Sequence, residues 1–418
     1  MPSFAHMSDV HLGAFRHSTL KNLVLDSFRK AIDLCVERKV DFIVISGDLF
    51  DSNLPDLSVV KQAVAILRKA REKGINIYVI YGSHDFSPTQ TSMIDIIEET
   101  GLIRKVTYGE MVGEKLRLRF VVDDKTGAKI TGISRRKAGV ERKFFEILDR
   151  ESLEREGGFK IFAFHAAIDE YRPVSIAETE SMPVSLLPKN FNYYAGGHIH
   201  EKLVASMPGY EHVVFPGTLF GANYTDLEKS AKGERRGFYV VNFSDRVESV
   251  EFVEVKACDF EIVEYDAGDR TAQEVQDELM GIAKDIDVEG KLVLFKVWGE
   301  LSSGRTADVN FARIREIIEG KGALHVMMNY HGLTSKEYTR IRVAGETREE
   351  IERKLFKESI GSVNVSIPKL KGDAGVALSL NLLRVLKQGK KDSETKADYE
   401  KRILRDAVET LGIKEVPK

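Results

Sequence analysis

Several short apolar runs in this chain end in a knot of Gly, Asp and His, and that feature constrains its folding more than any other. Phe4 to Ser8 runs into Asp9-Val10-His11. Phe42-Ile-Val-Ile-Ser46 runs into Gly47-Asp48-Leu49-Phe50-Asp51, and Ile75 to Tyr81 into Gly82-Ser83-His84-Asp85. A compact apolar run of this length reads as a strand buried on both faces. Between the runs lie helical patterns. Leu20 to Lys39 carries Leu20, Leu23, Val24, Phe28, Ala31, Ile32 and Val36 on one face. Leu57 to Lys73 carries Val60, Ala63, Val64, Leu67 and Ala70, and Gly74 stops it. This β-α-β-α-β rhythm predicts a sheet with parallel members and helices on its outer faces, an α/β fold.

The rhythm continues with strands at Lys160 to Phe164, Asn192 to Ala195, Val213 to Phe215 and Gly237 to Phe243. After Ser244 the texture becomes that of a small α+β unit. Strands are expected at 250–255, 259–265, 291–297 and 323–329, with helices at 272–286 and 312–320. The tail reads as a charged helix at 349–356 and two amphipathic helices, Leu378 to Leu386 and Tyr399 to Leu411, joined by a charged linker. The expected division is 1–243, 244–345 and 346–418. At about 100–200 residues per domain, 418 residues allow two to four such parts. The two tail helices are too short to be stable alone in water. They dock either on their own chain or on a partner.

Composition narrows the function classes. The 62 Lys and Arg against 65 Asp and Glu, net −3, exclude a wholly basic nucleic-acid binder but not a local basic groove. Two cysteines exclude a disulfide framework and a thiolate-rich zinc site. No run of eighteen apolar residues occurs, and Met-Pro-Ser-Phe-Ala-His lacks a signal-peptide pattern. The expectation is a cytoplasmic protein without a membrane partner.

The strand ends carry the chemistry. In open α/β sheets, sites form outside the carboxyl ends of the strands. Five ends bring Asp9-x-His11, Gly47-Asp48, Gly82-x-His84-Asp85, His165 and Gly197-His198-x-His200 toward one crevice. Singly, each has a plain reading: a structural histidine, a Gly-Asp turn, two solvated side chains. Jointly they suit a metal centre, since carboxylates with imidazoles take manganese, iron or zinc.

These motifs, in this order, resemble the calcineurin-like binuclear metallophosphoesterases. Ser8-Asp-Val-His-Leu-Gly13, Phe42 to Phe50, Gly82-Ser-His-Asp85 and Pro216-Gly-Thr218 are similar to one branch. That branch is the SbcD-type nucleases, whose archaeal and eukaryotic members are called meiotic recombination eleven. The resemblance implies a four-layer α-β-β-α core, a smaller α+β capping domain and a helical C-terminal tail. It implies two manganese ions, with other divalent metals as substitutes. One would be held by Asp9, His11 and His200 and the other by His165 and His198, with Asp48 bridging. His84 would face the scissile phosphate as proton donor or charge stabiliser. The family has Asn where Ser83 stands. Ser83 either ligates the second metal directly or through a water, or leaves that site weakened.

The family also implies a DNA substrate and an SbcC-type (Rad-fifty type) ABC ATPase as partner. Leu382, Leu386, Tyr399, Ile403, Ala407 and Leu411 are the candidate contacts for that ATPase. Phe15, Arg16 and His17 lie where the family meets DNA, with a core role for Phe15 as the other reading. Asp51 either orients a ligand or reaches the substrate. Two basic clusters, 135–137 with Arg142 and Lys143, and Arg235 with Arg236, are DNA contacts or solvated faces. A homodimer could form through 57–73 or 91–100, whose apolar faces packing on the sheet explains equally well. His6, His212, His325 and His331 read as structural or surface histidines.

The expected activity is a manganese-dependent exo- and endonuclease on duplex ends and single strands, acting in double-strand-break repair. Another phosphatase or phosphodiesterase, or a weakened repair scaffold, are the alternatives. Gly47-Asp-Leu-Phe-Asp-Ser-Asn53 lacks the Arg of the protein phosphatases of this superfamily, which favours the nuclease.

Overall fold

The computed structural model describes residues 1–87, 91–135, 140–172, 181–336, 347–362, 367–391 and 394–412. Its order begins as the pattern predicts. Strand Ser3–Met7, helix Ser18–Glu37, strand Phe42–Ser46, helix Leu57–Glu72 and strand Asn76–Ile80 follow one another. The first helix buries Leu20, Val24, Phe28, Ala31, Ile32 and Cys35, which recur at helical spacing. The second starts where the Asp56 side chain accepts from Ser58 N at 2.8 Å.

Two six-stranded sheets form the core. The first runs Val247–Glu254, Gly237–Phe243, Ser3–Met7, Phe42–Ser46, Asn76–Ile80, Arg104–Lys105. Its last four members are parallel. The second runs Leu203–Met207, Tyr210–Phe215, Tyr193–Gly197, Lys160–His165, Lys129–Ile133, Val121–Val122. Its four central members are parallel. The inner faces meet through Phe4, Phe42, Val44 and Tyr78 from one sheet and Ile130, Ile161, Tyr193 and Val214 from the other. Phe4 stacks on Phe42 at 5.1 Å and meets Tyr193 edge-on at 5.1 Å. Burying each such ring stabilises the fold by about 1.5–3 kcal/mol. Helices Ser18–Glu37 and Leu57–Glu72 cover the outer face of the first sheet. Phe145, Leu148 and Leu153, from the segment that carries Val140–Glu146 and Arg150–Glu154, cover the outer face of the second. This is the expected four-layer α-β-β-α core.

The structure adds strands the pattern did not announce. Lys129–Ile133 begins with a lysine and carries a glycine, Gly132, next to its end. Hairpin Gly109–Val112 with Lys115–Leu118 is short and mostly exposed, so its alternation is faint. Strand Val247–Glu254 pairs antiparallel with Gly237–Phe243. It therefore completes the first sheet, and the division expected at 243/244 falls inside a hairpin. The small α+β part is a three-stranded sheet of Asp259–Asp266, Lys291–Leu301 and His325–Ser335. Helices Ala272–Asp285 and Phe311–Gly320 pack on it through Val275, Leu279, Ile314 and Ile318.

The chain divides into two compact units, Met1–Thr334 and Ser335–Lys418. The division expected at 345/346 lies within residues 337–346, outside the described residues. The second unit holds helices Arg348–Ser362, Gly372–Leu386 and Lys396–Leu411, a helical tail as expected, with the middle helix lying against both others. Among the described residues no helix is long and apolar enough to cross a membrane.

Candidate metal centre

The ends of five strands converge at one edge of the two sheets. Asp9 N donates to Gly47 O at 3.1 Å and His11 N to Asp48 O at 2.9 Å, so the first two ends are laced together. Asp85 ties in the third. Its carboxylate accepts from Leu49 N (3.2 Å), Phe50 N (2.9 Å) and Gly82 N (3.0 Å). Burial and the nearby Asp48 charge push Asp85 up to about 6, against those N–H bonds. Close approach demands glycine here. A Cβ on Gly82 would lie 2.1 Å from Asp48 Oδ1, and one on Gly47 (φ +88°) would lie 2.4 Å from His165 Nδ1. Asp9, His11, Asp48 and His198 all adopt left-handed backbone, with φ of 50°, 51°, 51° and 83°. Non-glycine residues in that region persist where the surroundings over-determine them, and they cluster at functional sites.

The imidazoles are oriented from behind. His11 Nδ1 donates to Asp51 Oδ1 at 3.0 Å, and His165 Nδ1 to Ser46 O at 2.8 Å. His200 Nδ1 donates to Asp226 Oδ2 at 2.8 Å, and His84 Nδ1 to Asp51 O at 2.8 Å. Every one of these partners is an acceptor only. Nδ1 therefore keeps a proton in each case, and Nε2 presents a lone pair whenever the ring is neutral. Nε2 of His11, His165 and His198 is buried without a hydrogen-bond partner. An orphaned buried nitrogen is costly unless something satisfies it.

Carboxylates face those nitrogens. His165 Nε2 lies 3.2 Å from Asp48 Oδ2 and 3.9 Å from Asp9 Oδ1. His11 Nε2 lies 3.8 Å from Asp48 Oδ2, and His200 Nε2 3.9 Å from Asp9 Oδ1. Among the described residues, three groups have ligand atoms close enough for one ion: Asp9–His11–His200, Asp9–Asp48–His165 and His11–Asp48–His84. The donor set is imidazole lone pairs and carboxylate oxygens converging on shared points, which fits divalent transition metals. The first group is the set expected for one ion, and the second contains the expected bridge and His165. His198 belongs to none of the three groups, although its ring lies 5.3 Å from that of His165 and its N–H donates to Asp9. Ser83 Oγ donates to Asp48 Oδ2 at 3.3 Å, beside the expected bridge.

The electrostatics favour positive charge here. Burial alone would push His165 down, yet Asp48 and Asp9 beside it raise it to about 9. Asp48 is opposed by its own burial, but His165, His11 and His84 hold it well below the usual carboxylate range. His198 is pushed down to about 2, chiefly by burial and then by the charges of His165 and Arg135.

Residues 2–202 match the model of the calcineurin-like phosphoesterase family. The chain carries a calcineurin-like phosphoesterase domain. Three curated relatives, each named DNA double-strand break repair protein Mre11, align with it. That of Methanococcus maripaludis is 29% identical over 62% of this chain and 68% of its own length. That of Archaeoglobus fulgidus is 27% identical over 76% and 75%. That of Thermoplasma acidophilum is 25% identical over 88% and 98%. Residues 2–202 thus form a phosphoesterase-like domain whose Asp and His clusters provide candidate positions for two divalent ions.

Sequence reasoning missed Asp226 at this domain's centre and misplaced Arg236. Asp226 caps the rear of His200 from the start of helix Tyr224–Ala231. Arg236 is buried, not part of a basic surface cluster. Its guanidinium donates to His200 O at 2.6 Å and Asp226 O at 2.8 Å. Both follow the Gly-His-x-His motif by more than twenty-five residues, and no local spacing links them to it. Of the expected DNA contacts, Arg16 is exposed, while Phe15 packs against Phe220 at 6.5 Å. His17 stacks on His325 of the small sheet at 3.8 Å, which also gives His325 a structural place. Asp51 is the support of His11 and His84. Arg136 and Lys137 lie outside the described residues. In the tail, Leu382, Tyr399, Ile403, Ala407 and Leu411 are half-buried and Leu386 is exposed.

Proposed function

We propose that this protein is a manganese-dependent DNA nuclease of double-strand-break repair. The single observation that carries the reading is the pair of buried, partnerless Nε2 atoms on His11 and His165 facing Asp9 and Asp48, with the equally partnerless His198 ring next to that of His165. Asp9, His11 and His200 would hold one ion, and His165 and His198 the other, with Asp48 between them and Ser83 at the rim. When bound, such a pair of ions supplies Lewis acidity to a phosphodiester and a water nucleophile at neutral pH. The chain's own residues do the rest. Asp51 and Asp226 keep His11 and His200 turned with Nε2 inward. His84, half exposed and held through Nδ1 by the Asp51 carbonyl, is set, as the imidazolium, to give a proton from Nε2 to the departing alkoxide.

The names of the relatives support DNA as the substrate and repair as the setting. Manganese and action on both duplex ends and single strands belong to this reading, as do a cytoplasmic place and an SbcC-type ABC ATPase as partner of the tail. A homodimer belongs to it too, and the outward Leu54, Leu57 and Ile96 support that assembly. Manganese-dependent cleavage of end-labelled duplex and single-stranded DNA tests it, beside hydrolysis of bis-p-nitrophenyl phosphate. His84→Ala is expected to lower DNA cleavage by about a hundredfold or more, within the usual range for a lost general acid. Hydrolysis of the small ester with no cleavage of any DNA would replace the nuclease by a small-substrate phosphodiesterase.

A further inference from the structure

Beside the metal centre lies a cavity of about 290 Å³ that none of the roles above uses. Tyr81 and Phe86 flank the Gly82–Asp85 loop on one side of it. Ile133 to Arg135 close it from the end of strand Lys129–Ile133, and Phe144, Tyr108, Leu116 and Leu118 form the rest of the wall. Its position is fixed by the centre itself. Tyr81 N donates to Ser134 Oγ at 2.9 Å, and the next residue, Gly82, is the one pressed against Asp48.

The walls are preorganised and carry four aromatic rings, Tyr81, Phe86, Tyr108 and Phe144. Tyr81 is held by its hydroxyl to Asp95, and Lys105 Nζ lies 5.5 Å over its ring. Tyr108 is held by its hydroxyl to Glu98 at 2.7 Å. Lys105 is itself offset by Asp95 at 2.6 Å and Glu98 at 3.1 Å. The lining cation whose charge reaches the centre is Arg135. The volume is at the lower end of small-molecule sites, which run about 300–1,000 Å³, so it holds one flat ring system rather than an extended ligand. Flat, apolar, with an anion on the side of the centre: that description fits a nucleobase whose phosphate is at the metals.

We propose that this cavity receives one unstacked nucleobase of the strand being cut, stacked among Tyr81, Phe86, Tyr108 and Phe144, with Arg135 beside its phosphate. The proposal rests on the nuclease reading and adds to it a demand for a locally unpaired nucleotide. Stacking on aromatic side chains tolerates any base sequence, since every base has a π-face.

The test uses the full chain with manganese. Deoxyadenosine monophosphate and deoxyribose phosphate, which lacks the base, are titrated in parallel by calorimetry. The nucleotide is expected to bind about tenfold more tightly than the sugar phosphate, from the gain of stacking. In Tyr108→Ala, at an exposed wall position, and in the milder Phe144→Leu, the ratio should fall toward one. Equal binding of the two probes by the wild type overturns the proposal, as does a ratio that survives both substitutions. DNA cleavage measured alongside separates the two readings. Cleavage without a base advantage defeats the pocket alone. A base advantage without cleavage keeps the pocket and defeats the nuclease.

Discussion

At the scale of residues, the centre is a set of lone pairs aimed by groups behind them. Asp226 is buried, and although burial opposes its charge, the His200 hydrogen bond and charge hold it below the usual carboxylate range. Replacing Asp226 with Asn keeps the shape but removes the charge that makes His200 a better ligand. Asp226→Asn and Asp51→Asn should each weaken manganese binding by about ten- to a hundredfold in calorimetric titration. Unchanged affinity would reduce both carboxylates to packing. In the same titration Ser83→Asn should tighten binding, because an amide carbonyl reaches further and ligates better than a neutral hydroxyl. The sequence displayed Asp9, His11, Asp48, His165, His198 and His200 because each lies within five residues of the end of a readable strand. Asp226 and Arg236 were illegible because their link to His200 is a contact across a fold. Asp51 could be seen in the sequence, but its task could not.

At the scale of elements, the junction between the two sheets is where stability and pH meet. His6 on the central strand Ser3–Met7 is wholly buried between them. Its ring nitrogens lie 2.9 Å from Tyr193 Oη, on the second sheet, and 3.0 Å from Ser46 Oγ. Burial lowers His6 from 6.5 to about 3, with a backbone bond to Gly196 opposing. The unfolded chain therefore binds a proton between these values while the folded one does not. The sign follows: stability is complete above 6.5 and is lost as pH falls toward about 3. Urea unfolding between these limits should show a falling midpoint in the wild type and a flatter one in His6→Gln. Parallel slopes in the two would remove His6 from the acid limb. The pattern of apolar runs gave these central strands because they are buried on both faces. The edge strands Arg104–Lys105, Val121–Val122 and Leu203–Met207, half exposed and only two to five residues long, left no comparable signature.

At the scale of the whole molecule, every residue of the centre and of the nucleobase cavity belongs to the unit Met1–Thr334, which has its own cores. A unit with its own core folds alone. A chain ending at Thr334 should unfold cooperatively and bind manganese within about twofold of the full chain. On the reading above, it should lose association with the ABC ATPase in co-purification. Retained association would move the partner site off the tail, and lost metal binding would mean that the tail supports the centre.

The sequence by itself determined the layered α/β core, since burial on both faces forces continuous apolar strands and amphipathic helices, and those patterns are local. It also determined which Asp and His side chains gather at one edge, since they sit at the ends of readable strands. Only the tertiary structure decided which sheet each strand joins, where the first sheet ends, and which carboxylate stands behind each imidazole. It also decided that an aromatic cavity lies next to the centre. These are distances between residues far apart in the chain, set by how two twisted sheets stack, and no local periodicity encodes them.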